Sequence, residues 1–212
     1  MNNVLILSPH TDDAEIGCGG TIIRLLQEKK NLLWVVFSTA EDSIPDDMPK
    51  DILTTEFLEV MKKLELDESH FIIKHFKVRN LKQHRQEILE ILVDLKKTFK
   101  PDMVIGPSLN DFHQDHSVIA NEMVRAFKTS SSIICYELPW NHIKFDTQFF
   151  MTLSPDHIAK KISLLETYKS QIKIDRHYFS ADFVKGLATT RGSQVAEKYA
   201  EAFEVIRWIN RY

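Results

Sequence analysis

The amino-acid sequence predicts an α/β fold: a Rossmann-like, mostly parallel sheet of about five strands in the order 3-2-1-4-5, flanked by helices and followed by a C-terminal extension. Three observations predict it. Short, continuously apolar runs alternate with longer segments of helical spacing over the first two thirds of the chain. The runs are apolar without interruption, as strands covered on both faces require. At 212 residues and 43% hydrophobic, the chain suits one well-buried domain spanning 1–212, with about 1–137 as the core and about 138–212 as the extension.

The elements follow in order. Val4 to Leu7 is the first strand, then comes a polar, glycine-bearing loop, then a helix over Thr21 to Lys30 through Ile22, Ile23, Leu25 and Leu26. Leu32 to Ser38 is the second strand. A loop rich in Asp and Pro (Glu41 to Lys50) leads into a helix from about Ile52 to Leu66. Phe71 to Phe76 gives a third strand, Leu81 to Phe99 a helix, and Asp102 to Gly106 a fourth strand after Pro101. After the loop Pro107 to Asp115 come a helix from about His116 to Lys128 and a fifth strand at Ile133 to Tyr136. Beyond them lie a turn at Pro139-Trp140-Asn141, a strand near Phe149 to Leu153 and a helix from about Pro155 to Ser170. Ala202 to Trp208 fits strand or helix, because periodicity alone does not separate the two there.

Composition removes several function classes. The formal charge is -3 and no basic run exceeds a pair such as Lys96-Lys97, so nucleic acid is a poor partner. No apolar stretch approaches the roughly 20 residues of a membrane helix. Cys18 and Cys135 cannot build a disulfide framework, and the chain opens into strand-like sequence without a charged leader, so a cytoplasmic location is expected.

The chemistry concentrates in two clusters. His10-Thr11-Asp12-Asp13 follows the first strand, and Asp111-Phe112-His113-Gln114-Asp115-His116 follows the fourth. In a 3-2-1-4-5 sheet these strands are neighbours at the topological switch point, so both loops face one crevice. Imidazole and carboxylate donors suit zinc, and a catalytic zinc keeps three protein ligands and one open position. A His/His/Asp set also takes Fe(II) or Co(II). Sequence order does not decide which member of each pair, Asp12 or Asp13, His113 or His116, ligates. Asp115 stands two residues after His113, placed to hydrogen-bond that imidazole and keep it cationic. The other histidines (His70, His75, His84, His142, His157, His177) read as surface residues. Gly17, Gly19 and Gly20 are a poor dinucleotide fingerprint, since they begin too far after the strand and Ile22 stands where the third glycine belongs. They mark a close backbone approach at the first helix, with Cys18 a small buried residue.

These motifs resemble the LmbE-like, or PIG-L, family of zinc-dependent N-deacetylases, whose hallmarks are His-Pro-Asp-Asp and Asp-x-His-Pro-Asp-His. The glycine run with Thr21, and the stretch from Arg191-Gly192 through Tyr199-Ala200-Glu201-Ala202-Phe203, match as well. The resemblance implies that His10, Asp13 and His116 hold Zn2+, that Asp12 is the general base, that His113 stabilises the oxyanion, and that Asp115 tunes His113. It implies a small-molecule substrate, an N-acylated amino sugar or sugar conjugate, with Tyr136 to Trp140 similar to members linked to surface-polysaccharide building. Monomers and oligomers both occur among such proteins. Two departures stand out: Thr11 replaces the motif proline, and Leu53 occupies the place of an Arg used toward the substrate, three residues before Glu56. Arg79 and Arg191 are the substitutes expected here, and Trp140 is a candidate to stack on a sugar. The competing readings are an amidase for another amide, such as a thiol conjugate, and a noncatalytic sugar or nucleotide-sugar binder on the same fold.

Overall fold

The computed structural model describes residues 1–210; the last two residues of the expected 1–212 domain lie outside the described part. Seven strands, β1 (Asn3–His10), β2 (Asn31–Ser38), β3 (Phe71–Ile73), β4 (Met103–Pro107), β5 (Ser132–Tyr136), β6 (Phe149–Leu153) and β7 (Tyr199–Arg207), form one sheet ordered β3-β2-β1-β4-β5-β7-β6. The first five pair in parallel, in the expected 3-2-1-4-5 order. The extension completes the sheet: β7 inserts between β5 and β6 and runs antiparallel to both. Ala202 to Trp208, open between strand and helix in the sequence, lies mainly in β7. Its residues pair on both sides, and that lateral pairing is a non-local fact.

The helices are α1 (Asp13–Gln27), α2 (Ile52–Lys63), α3 (Arg85–Thr98), α4 (Gln114–Phe127), α5 (Pro155–Leu165), α6 (Lys169–Lys173) and α7 (Ala181–Ser193). Successive residues of β1 point to opposite faces. Val4 and Ile6 join the core of one face with Trp34, Phe57 and Ile22. Leu5 and Leu7 join the other with Val35, Ile88, Ile119 and Met123. Both faces are therefore dry, which explains the unbroken apolar runs.

The structure differs from the sequence expectation at α1, which begins at Asp13 and not at Thr21. Its first turns carry the glycines that hid the apolar period. Their bareness is required: a Cβ on Gly17 would lie 2.4 Å from the Tyr136 ring, and one on Gly20 2.5 Å from Leu153. The helix kinks at Cys18, whose φ of -147° is non-helical. A kink strands backbone groups that need new partners. Lys161 Nζ donates to the Ile16 carbonyl at 2.6 Å, while Glu201 accepts from Gly20 N (3.0 Å) and Thr21 N (2.7 Å). Lys161 and Glu201 pair with each other at 2.7 Å, so the break is closed by a buried ion pair. The helix expected over Pro155 to Ser170 divides into α5 and α6, and α7 had no distinct sequence signal.

Candidate active site

The C-terminal ends of β1 and β4 are neighbours, and the loops they feed meet in one cavity of about 270 Å³. It is lined by His10, Asp12, Asp13, His113 and His116 on one side and by Leu53, Trp140, Gln171, Arg176 and Tyr178 on the other. His10 closes β1, and Asp13 opens α1. Asp13 Oδ2 accepts from the His10 backbone N–H at 2.8 Å, which curls the loop so that Asp12 and Asp13 diverge. Thr11, standing where a proline would fix the backbone, is held another way: Tyr168 Oη donates to its carbonyl at 2.7 Å. Glu15 lies 2.6 Å from the same hydroxyl, and burial pushes its carboxyl well above the usual range.

Three donors converge. Asp13 Oδ2 lies 3.1 Å from His10 Nδ1 and 3.2 Å from His116 Nε2, and those two nitrogens are 3.3 Å apart. The remaining nitrogen of each imidazole faces a carboxylate: His10 Nε2 is 3.1 Å from Asp115 Oδ2, and His116 Nδ1 is 2.7 Å from Asp111 Oδ2. A carboxylate there accepts a hydrogen bond from the ring N–H and orients the ring, so that the other nitrogen could ligate a cation at the centre. His113 also offers a nitrogen within 4.8 Å of those of His10 and His116. Its circumstances differ. As the N-cap of α4 it accepts the Asp115 backbone N–H on Nδ1 at 3.2 Å, so in the neutral ring the proton sits on Nε2. Two imidazoles thus have a carboxylate behind them, and the third a backbone N–H.

The electrostatics agree with that division. Burial alone depresses an imidazole, yet the Asp13 charge and bonds to Asp115 and Asp13 push His10 up to about 9. His116 goes to about 10, burial again being overcome by Asp13 and then Asp111. Asp13 is held well below the carboxylate range despite burial, because both histidines face it. A centre that draws protons this strongly favours positive charge, and its donor set matches a His/His/Asp metal site. Burial, with the His116 and His10 charges behind it, lowers His113 to about 4, so it is neutral near pH 7. Burial and Asp13 raise Asp12 to about 6, opposed by Arg176 and His10.

The structure brings His10, Asp12, Asp13, His113 and His116 together, and Trp140 joins them on the far wall with one face stacked on Tyr178 (3.9 Å, 12°). Three expectations change. The Asp115 carboxylate does not reach His113; it bonds His10, Arg79 N (2.6 Å) and Leu81 N (3.3 Å), because the first turn of α4 aims it back toward β1. His113 is accordingly not kept cationic. Arg191 stands outside the cavity lining with its guanidinium closed on Glu137 and Gln194. Arg79 contributes its backbone, in the left-handed region at φ 67°, while its side chain reaches the Asp42 carbonyl at 3.4 Å outside the lining. Two residues of consequence carried no assigned role in the sequence. Asp111 stands inside the second motif, but only the structure shows it bonding His116, whereas Arg176 gave no signal, since only the packing of α6 brings it to the cavity.

Comparisons with known proteins agree with this geometry. Residues 5–127 match the family model of GlcNAc-PI de-N-acetylase, PIG-L. The uncharacterised deacetylase YaiS of Escherichia coli (strain K12) is 26% identical over 174 residues, which cover 79% of this chain and 90% of that one. Two solved structures share the fold. The N,N'-diacetylchitobiose deacetylase of Pyrococcus horikoshii superposes with a TM-score of 0.77 at 19% identity, covering 97% of this chain and 84% of its own. GalB, the 4-carboxy-2-hydroxymuconate hydratase of Pseudomonas putida KT2440, does so at 0.78 and 17%, covering 100% and 99%.

Proposed function

This chain belongs to the PIG-L, or LmbE-like, deacetylase family, and from that premise we propose that it hydrolyses the N-acyl group, an acetyl, of an amino sugar or sugar conjugate in a metal-dependent reaction. The observation that carries the reading is the convergence of His10 Nδ1, His116 Nε2 and Asp13 Oδ2, with a carboxylate behind each of the two imidazoles, while His113 accepts a backbone N–H on its Nδ1. In this reading His10 Nδ1, His116 Nε2 and Asp13 Oδ2 hold the cation, and imidazole with carboxylate favours Zn2+ over the Fe2+ or Co2+ that the same set accepts. A zinc ion held by these residues would supply Lewis acidity for the amide carbonyl and for a water near neutral pH.

The chain's own groups do the rest. Asp12 is buried beside Asp13 and engages neither histidine at ion-pair distance, which leaves its carboxylate to take a proton from the attacking water. His113 Nε2–H donates to the carbonyl oxygen as negative charge builds on it, and a neutral imidazole does this without surrendering its proton. The proton on Asp12 then passes to the amine nitrogen as the C–N bond breaks. Water and amide become carboxylic acid and amine, with Asp12 returned to its starting state. Asp115 and Asp111 are positioning residues that act through His10 and His116. Trp140 offers a wall for a sugar ring.

The whole chain acts as one domain in this reading, with residues beyond 137 supplying sheet and cavity wall. A cytoplasmic location is supported by two unpaired, buried cysteines, Cys18 and Cys135, and no helix among the described residues is long and apolar enough to cross a membrane. The test is a panel of N-acetylated sugars and N-acetylated thiol conjugates, run with zinc-loaded protein and with Asp12→Asn. The wild type is expected to release acetate from sugars, and Asp12→Asn to keep its zinc while losing at least about 100-fold in kcat. Full activity in the variant would remove Asp12 as the base; cleavage of thiol conjugates alone would remove the sugar.

A further inference from the structure

We propose that Arg176 is the specificity residue through which this protein recognises an oxyanion, a phosphate or carboxylate, carried on the sugar beside its N-acyl group. The inference rests on the deacetylase reading above and adds the charge of the substrate to it.

Arg176 is the one Lys or Arg side chain lining the cavity among the described residues. It is half-buried, and no carboxylate comes within ion-pair distance of it among those residues. Its side chain bonds Tyr178 and its charge acts on Asp12 across the cavity. Arg24, Arg85, Arg125 and Arg191 each pair with a glutamate, and Arg191, outside the cavity lining, is closed off by Glu137. A half-buried guanidinium that no carboxylate closes off by an ion pair keeps part of its five-donor fork for an anion that a ligand brings.

The backbone aims it there. The end of α6 carries two reversed bonds, Arg176 N to Gln171 O (3.4 Å) and Asp175 N to Ile172 O (3.0 Å), with Asp175 left-handed at φ 57°. This is a Schellman turn with Asp175 at its left-handed position. It stops the helix and turns the chain back toward the cavity, where Tyr178 stacks on Trp140 and fixes the next turn. Leu53 lines the cavity as well and adds no charge, so a cation for a charged substituent comes from Arg176.

The test compares kcat/KM for methyl N-acetylglucosaminide, N-acetylglucosamine 1-phosphate and N-acetylmuramic acid in the zinc-loaded wild type, Arg176→Gln and Arg176→Lys. Calorimetry of the corresponding free amines reads recognition without catalysis. The wild type is expected to prefer one of the two anionic sugars over the neutral one, and the phosphate and carboxylate arms tell which anion fits. Arg176→Gln should cut that preference by roughly 10- to 100-fold, the scale of a charge-assisted hydrogen bond. Arg176→Lys should retain part of it, since an ammonium keeps the charge and loses the fork. No anion preference in the wild type, or a Gln variant that weakens all three sugars equally, overturns the proposal. The two readings separate cleanly: turnover of the neutral sugar without anion preference sinks only this inference. Arg176-dependent binding of the anionic amine without turnover of any amide sinks only the deacetylase reading.

Discussion

Replacing Lys161 by Met tests how the kinked first helix is held. Lys161 and Glu201 are almost wholly buried, with side chains 6% and 7% exposed, and they pair at 2.7 Å. Met has similar length and no charge. The substitution leaves the Ile16 carbonyl without its donor and the Glu201 carboxylate without its cation. Removing one partner of a buried pair costs about 3–5 kcal/mol. Glu201 keeps two backbone N–H donors, from Gly20 and Thr21, so the lower end applies, about 3 kcal/mol. For a chain of this size that is a fall in Tm of roughly 6–12 °C. Urea unfolding of the zinc-loaded protein, followed by circular dichroism, measures it. The double variant Lys161→Met/Glu201→Gln removes both charges together, and its cost should fall short of the summed single costs by about 2 kcal/mol. A single-variant loss under about 1 kcal/mol, or strict additivity in the double, would refute the account of the kink.

Two further outcomes are expected. Asp111→Asn and Asp115→Asn each lose the carboxylate behind a ligating imidazole and should weaken zinc affinity about 10- to 100-fold by competition with a chelator; unchanged affinity in both would detach those residues from the metal. The acid limb of kcat/KM should lie at or below about pH 6. Burial and Asp13 raise Asp12 to about 6, the charges of Arg176 and His10 oppose them, and a bound cation lowers it further. Asp12 accepts a proton only when ionised, so activity falls as pH drops through its pKa. A limb centred above pH 7 would contradict that role.

Much of this molecule was legible from residues alone. The five parallel strands follow from unbroken apolar runs, their order from the doubly wound pattern that such an alternation implies, and the two loops of the candidate site from polar clusters placed after the first and fourth strands. What resisted reading was non-local. Glycine has no side chain to show on which face it lies, so the start of α1 was invisible until Tyr136 and Leu153 appeared against Gly17 and Gly20. The place of β7 between β5 and β6 depends on partners some 50 to 70 residues away. Asp115 looked like the neighbour of His113 because they are close in sequence, but a helix N-terminus turns adjacent side chains apart and sends this one to His10. Arg79 and Arg191 were chosen for charge alone. Their partners, a carbonyl and a glutamate, are known only once the chain has closed.

The cavity is built from two stretches of chain. His10, Asp12, Asp13, His113 and His116 lie inside the segment matched by the family model, as does Leu53, whereas Trp140, Gln171, Arg176 and Tyr178 come after it. In the proposed reading, the groups that would cleave the bond lie in the first stretch, and the aromatic wall and guanidinium that would select the molecule lie in the second. Under that reading, changes in the later stretch would retune what is admitted and leave the proposed metal ligands and base untouched, and exchanging residues 138–180 between relatives would redirect the choice of substrate.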